Sequence, residues 1–391
     1  MAKSQRKRSW KAFILLAGLW VDVAYGAELT QKTPAAPEVN APFAYLMDFA
    51  TGTVLFEKEA TSPMVPSSMT KLTTLYELFS ALQDGRLRLT DKLLVSEKAW
   101  KARGSRSFLN VGDRVSVEDL IRCIVVHSGN DACLVVAEAL CGSEEAFSQM
   151  MTETVRRFGA QTTVFKNATG WPDDGHYSSA ADLALIAWHL IVDFPQYYHY
   201  FSEKEFVAGG ILQHNRNTLL WHDIGVDGLK TGRTDAGGYG IVVSAVQKGQ
   251  RLIGVVNGCK SDRERAQNAG ALLRWGFNGF AFYQLADKGE PVASAEVWLG
   301  DAPTVDLVAN RNISLIVPRH HMRDIKVEVI YNGPLEAPIK QGDRVALLRV
   351  SVPERVPAEY PLFANTSVGP INAFKRIQAA VTYLLFGAQS L

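Results

Sequence analysis

The sequence predicts an α+β domain followed by a small all-β domain and a C-terminal amphipathic helix. Three observations carry this. Strand patterns stand at both ends of residues 40–283, near Ala44–Asp48 and Gly240–Val256, while the stretch between them repeats apolar residues every three or four positions. Beyond Gly289, short β-prone runs separated by Pro and Gly take over. Finally, residues 370–386 place Ile371, Phe374, Ile377, Val381, Leu384 and Leu385 on one helical face, with Lys375 and Arg376 off it.

Along the chain, Lys3, Arg6, Lys7, Arg8 and Lys11 precede the apolar run Ala12–Trp20 and small residues at Ala24, Gly26 and Ala27. That order reads as a signal peptide over residues 1–27, cleaved near Ala27, with an uncleaved anchor as the alternative. After a Pro/Ala-rich stretch at 30–42, Ala44–Asp48, a turn at Ala50–Thr53 and Val54–Glu57 form a hairpin. Pro66 then opens an amphipathic helix starting near Ser67, with Met69, Leu72, Leu75, Tyr76, Phe79 and Leu82 three and four apart. Residues 84–200 are largely helical, including Val117–Val126 and Asp131–Leu140, and Gly240–Val246 and Leu252–Val256 form two strands around a tight turn. Strands enclosing helices imply a domain over 40–283 whose sheet is closed by distant segments. Ser314–Val317, Lys326–Ile330 and Arg344–Val350 mark the β-rich domain at 290–366, and residues 370–391 form the tail.

Composition narrows function. With 41 basic and 40 acidic residues and a net charge of +1, the chain has no global field with which to hold nucleic acid. Its 47% hydrophobic content suits a folded core and excludes a disordered or fibrous protein. Cys133 and Cys141 lie eight apart on one predicted helix, roughly 12 Å, out of bridging range. Free thiols are therefore expected at Cys123, Cys133, Cys141 and Cys259, though one bridge stays open. The eight histidines show no metal-ligand spacing, so no metal or other cofactor is expected.

Three short motifs carry chemistry. Ser68-Met69-Thr70-Lys71 puts a hydroxyl and an amine three apart at a helix start, where they share a face and where backbone N–H groups are left unpaired. Alone this is weak, since Ser4 to Lys7 matches it by accident and a helix cap explains it equally. Ser128-Gly129-Asn130 offers a proton-relaying hydroxyl and an amide for a peptide substrate, or simply another cap. Lys230-Thr231-Gly232 places a cation, a hydroxyl and a residue without side chain on a strand edge, fit for a substrate carboxylate and close backbone approach. The force lies in the conjunction, in order, with each motif on the element its chemistry needs.

This motif set is that of β-lactamases and penicillin-binding proteins, and the chain resembles the low-molecular-mass serine D-alanyl-D-alanine carboxypeptidases of peptidase family S11. Further stretches carrying the resemblance are Leu46-Met47-Asp48 with Thr51-Gly52, Pro66–Lys71, His127–Ala132, Val226–Gly232 and Leu272–Phe277. It is specific from about 43 to 280; thereafter it rests on layout. The resemblance implies a β-lactamase/transpeptidase-like fold, an antiparallel sheet flanked by helices with a helical subdomain. It also implies that Ser68 is acylated, Lys71 is its base and Ser128 relays the proton to the leaving D-alanine. Asn130 then holds the substrate amide, while Lys230 and Thr231 grip its carboxylate beside Gly232. Arg233 departs from the histidine or aromatic residue common in relatives, though its planar cation also suits a carboxylate.

The implied partners are peptidoglycan stem peptides, β-lactam antibiotics and a membrane surface met by the tail. The implied location is the periplasm, on the outer face of the cytoplasmic membrane. A lysine base must lose its proton near neutrality, against an ordinary value near 10.4, at a cost of roughly 4 kcal/mol; burial and the like charge of Lys230 are the expected causes. His127 is expected to be structural. The alternatives are a D,D-endopeptidase, a β-lactamase, disfavoured by Gly129 where the common class has Asp, and an inactive wall-binding protein.

Overall fold

A computed structural model describes residues 36–353, 355–372 and 377. The predicted signal peptide, and the tail helix apart from residues 370–372 and 377, lie outside the described residues. The chain divides into two compact units, one ending at Gly279 and the other beginning at Phe280. Among the described residues no helix is long and apolar enough to cross a membrane.

The first unit is built on β1 (Phe43–Asp48), β2 (Val54–Lys58), β3 (Val226–Thr234), β4 (Gly238–Gln247) and β5 (Gln250–Cys259), in the order β2-β1-β5-β4-β3. All neighbours are antiparallel. The predicted closure by distant segments is the β1–β5 pairing, with Phe43 opposite Asn257 and Asp48 opposite Leu252. Lys248–Gly249 makes the tight turn between β4 and β5, where Gln247 faces Gln250.

Period-two alternation sends side chains to two cores. Val242, Ile253 and Val255 join the larger, mostly helical cluster, whereas Ile241, Val243, Leu252 and Val256 pack with Leu272, Leu273 and Phe277. The longer helices are α1 (Lys71–Gln83), α2 (Val117–Val125), α3 (Asn130–Cys141), α4 (Glu144–Phe158), α5 (Ala180–Asp193) and α6 (Asp262–Gly279). Ser116, Ser143 and Ser179 cap α2, α4 and α5 by accepting backbone N–H groups. One charged cluster stiffens the sheet: Arg251 pairs with Asp227 at 2.7 Å and donates to Ser244 Oγ at 2.6 Å, and Tyr198 donates to Asp227 at 2.8 Å.

The second unit is β-rich, apart from a short 3₁₀ turn at Arg319–His321. Phe280–Ala286 pairs with Ile313–Pro318. A six-stranded sheet runs through Lys326–Ile330, Arg344–Ser351, Ala358–Ala364, Thr304–Ala309, Pro291–Trp298 and Leu335–Glu336. The boundary falls earlier than residue 283, because α6 continues to Gly279 and the residues after it pair as a strand within the second unit.

All four cysteines are free; Cys123, Cys133 and Cys259 are buried, and Cys141 is partly exposed. Leu46 is fully buried at the centre of the sheet's second core. Replacing it with alanine is expected to cost about 2–5 kcal/mol, read as a lowered urea midpoint with an unchanged slope.

Candidate active site

The site grows from the start of α1. Residues Ser67–Thr70 form one turn of 3₁₀ helix that runs straight into Lys71, and residues three apart eclipse in that geometry. Ser68 and Lys71 are so aligned that Lys71 Nζ donates to Ser68 Oγ at 2.9 Å and to the Thr169 carbonyl at 2.6 Å. Ser67 holds a left-handed backbone, φ 50°, and its hydroxyl meets Thr234 Oγ1 at 2.8 Å. Asn257 on β5 donates to the Val65 carbonyl at 3.0 Å. The Ser67–Thr70 turn is thus tied to the sheet on both sides.

Gly232 meets a packing need. A Cβ there would lie 2.9 Å from the Pro66 carbonyl oxygen and 3.1 Å from Ser67 Cβ, so the missing side chain lets β3 lie on this turn. Ser128 also has a left-handed backbone, φ 60°, which costs about 1 kcal/mol or more and marks a position held by its surroundings. Its hydroxyl and Asn130 Oδ1 are buried with no hydrogen-bond partner among the described residues. Asn130 begins α3 one residue earlier than expected, and its Nδ2 donates to the Arg103 carbonyl at 2.5 Å.

Ser68, Ser128, Asn130, Thr231, Gly232 and Arg233 line one open cleft of about 940 Å³. Lys71 and Lys230 are buried, and Lys71 reaches the cleft through Ser68. All eight expected residues therefore gather in one region, six on the wall and two behind it. Arg233 is exposed, 3.4 Å from Asp235 and over the Tyr239 ring. His127 is fully buried, bonded to the Phe206 carbonyl at 3.0 Å and 3.3 Å from Ser107 Oγ. Burial holds it below the ordinary histidine value.

Electrostatics set Lys71 apart. Burial brings its pKa down to about 8, assisted by the Arg216 guanidinium and opposed by Asp131. The like charge expected from Lys230 is exerted on Lys71 by Arg216. Lys230 is itself held well below the lysine range by burial, with Lys71 and Arg216 adding to it. The Cys133 thiol, pushed up to about 12 by burial, stays neutral.

Several residues on or behind the cleft lie outside the three short motifs. Arg216 donates to Ser105 Oγ at 2.6 Å. Arg265 donates to the Arg216 carbonyl at 3.0 Å and to Asp262. Asn167 Oδ1 accepts from the N–H groups of Thr169, Gly170 and Trp171 at 3.1, 2.9 and 3.2 Å, shaping the loop whose Thr169 carbonyl meets Lys71. The run Asn-Ala-Thr-Gly at 167–170 was the available signal. Asp131 Oδ2 accepts from Ser107 N at 2.9 Å and fixes the opposite wall.

A hydroxyl in contact with a buried amine, beside a cleft rich in arginine, is the geometry of a serine acyl hydrolase. The profile of the family described as D-alanyl-D-alanine carboxypeptidase, peptidase S11, matches residues 30–261, and that of the penicillin-binding protein 5 C-terminal domain matches 280–369. The chain is 35% identical to the D-alanyl-D-alanine carboxypeptidase DacD of Escherichia coli, over 94% of this chain and 97% of that one. It is 37% identical to DacC of the same organism, over 92% and 91%. Penicillin-binding protein 5 of Haemophilus influenzae superposes with a TM-score of 0.78 at 34% identity, covering 85% of this chain and 98% of that chain. The chain belongs to the S11 family of D-alanyl-D-alanine carboxypeptidases.

Gly170 carries the loop over the Ser67–Thr70 turn. With φ 78°, a Cβ there would fall 1.7 Å from the Ser67 carbonyl oxygen. Gly170→Ala is expected to lower stability by about 2–3 kcal/mol in urea denaturation and to slow penicillin acylation at least tenfold by displacing Thr169 from Lys71.

Proposed function

We propose that the chain removes the terminal D-alanine from peptidoglycan stem pentapeptides through an acyl-enzyme on Ser68. The observation that carries this is the 2.9 Å contact between Ser68 Oγ and the buried Lys71 amine. In the neutral amine one N–H is occupied by the Thr169 carbonyl, 2.6 Å away, so the lone pair is free to face Ser68. A pKa near 8 raises the neutral fraction at pH 7 roughly 300-fold over an ordinary lysine.

Ser68 Oγ attacks the carbonyl of the penultimate D-alanine and Lys71 takes its proton. N–H groups of the helix start face the developing oxyanion. Lys71 then gives that proton through the Ser128 hydroxyl to the leaving amine, so D-alanine departs neutral at nitrogen and both residues are restored. Water then attacks the ester, delivering hydroxyl to the carbonyl and returning a proton to Ser68. Asn130 holds the amide on the acyl side, while Lys230, Thr231 and Arg233 receive the terminal carboxylate, favoured by the cationic cleft. A β-lactam ring opens by the same attack and remains on Ser68 as a covalent adduct.

Location follows from the two ends of the sequence. The residue 1–27 pattern supports export to the periplasm. The apolar face of residues 370–386 supports a helix lying on the outer face of the cytoplasmic membrane, with Lys375 and Arg376 beside lipid phosphates. In that setting the enzyme trims the wall that gives the cell its shape.

Mass spectrometry of stem pentapeptides is expected to show loss of a single alanine, abolished in Ser68→Ala together with penicillin labelling. Acylation by penicillin is expected to rise with pH through an apparent pKa near 8, because only the deprotonated Lys71 accepts a proton. A rate flat from pH 6 to 9 would overturn the base assignment. Deleting residues 370–391 is expected to move active enzyme from the membrane pellet to the supernatant; if full-length protein is already in the supernatant, the anchor is wrong.

A further inference from the structure

We propose that Trp171 is a specificity-determining residue, whose indole receives the aliphatic side chain of the residue preceding the two D-alanines. This rests on the carboxypeptidase reading and deepens it.

Two walls of the cleft meet at this ring. A Cβ added to Gly104 would lie 2.6 Å from Trp171 Cζ3, 3.2 Å from Cε3 and 3.0 Å from Asn130 Nδ2. The indole therefore packs directly on the Gly104 backbone beside Asn130, an approach that a side chain at 104 would block. The backbone that carries the ring is also firmly held. Trp171 N donates to Asn167 Oδ1 at 3.2 Å and to Thr169 Oγ1 at 3.1 Å, and its carbonyl accepts from Asn167 Nδ2 at 2.9 Å.

Despite that support, Trp171 is 46% exposed on the cleft wall. A rigid, half-exposed indole beside polar groups offers a large apolar surface at small entropic cost. Its position relative to the reaction is set by the other contacts. The leaving D-alanine lies toward Thr231 and Arg233, and the acyl-side chain runs past Asn130, so the next side chain in that direction meets the ring beside Asn130. An aliphatic chain of three or four methylenes fits such a surface. A terminal cation on it would gain further from the ring face. A glycine at the same place would leave the indole wet.

The test compares kcat/KM for diacetyl-L-lysyl-D-alanyl-D-alanine with that for acetyl-glycyl-D-alanyl-D-alanine in the full-length enzyme. The wild type is expected to favour the lysyl peptide. Trp171→Ala is expected to shrink the ratio about tenfold, mainly through KM for the lysyl peptide. Trp171→Phe, which keeps an aromatic face, is expected to retain most of it. A wild-type ratio near one, or a ratio unchanged in Trp171→Ala, overturns the inference, as does an equal fall for both peptides. If the wild type hydrolyses neither peptide, it is the carboxypeptidase reading that fails.

Discussion

An amine shut away from water next to a serine hydroxyl is the constraint around which the rest of the first unit is arranged. A charged ammonium in that position would forfeit most of its hydration, and the Ser68 hydroxyl and Thr169 carbonyl return only part of it. The neutral form gains by comparison, which is the form a base needs. Burial of Lys71 is thus a liability for the fold and, in the proposed mechanism, the source of reactivity, a trade common at catalytic sites.

The surrounding structure holds that arrangement against relaxation. The Ser67–Thr70 turn is gripped by β3 through Ser67 and Thr234, and the residue before Pro66 by β5 through Asn257 and Val65. On the other side the loop shaped by Asn167 supplies the carbonyl for Lys71. The left-handed backbone at Ser67 persists because these contacts over-determine it. The orphaned Ser128 hydroxyl and Asn130 oxygen face the same cleft, with hydrogen-bonding capacity in reserve for a peptide.

Much of this was legible beforehand, for identifiable reasons. Ser68 and Lys71 are linked by local helical spacing, and the alternating strands near Ala44 and Gly240 announce their own period. The three motifs together pointed to one site because two stand at helix starts and the third on a strand. Arg216, Arg265 and Trp171 were not legible, since each sits outside those motifs and is brought to the cleft by tertiary packing alone. The same holds for Arg216 as the cation acting on Lys71: the sequence shows charges, but only the fold shows which of them face each other. The 3₁₀ turn before α1 was hidden because both helix types share the i, i+3 relation that the pattern reports.

The β1–β5 pairing has a kinetic side. Phe43 and Asn257 are neighbours across the ladder although more than half the chain separates them. Until translation has passed Cys259, the early hairpin has no central strand to join, and its edge stays open. Helices between can form locally and wait, but the sheet closes only by a long-range encounter, the slow kind of step in folding. Such a topology keeps the growing chain from committing early to a compact form, and delays assembly of the reactive serine until almost the entire first unit exists.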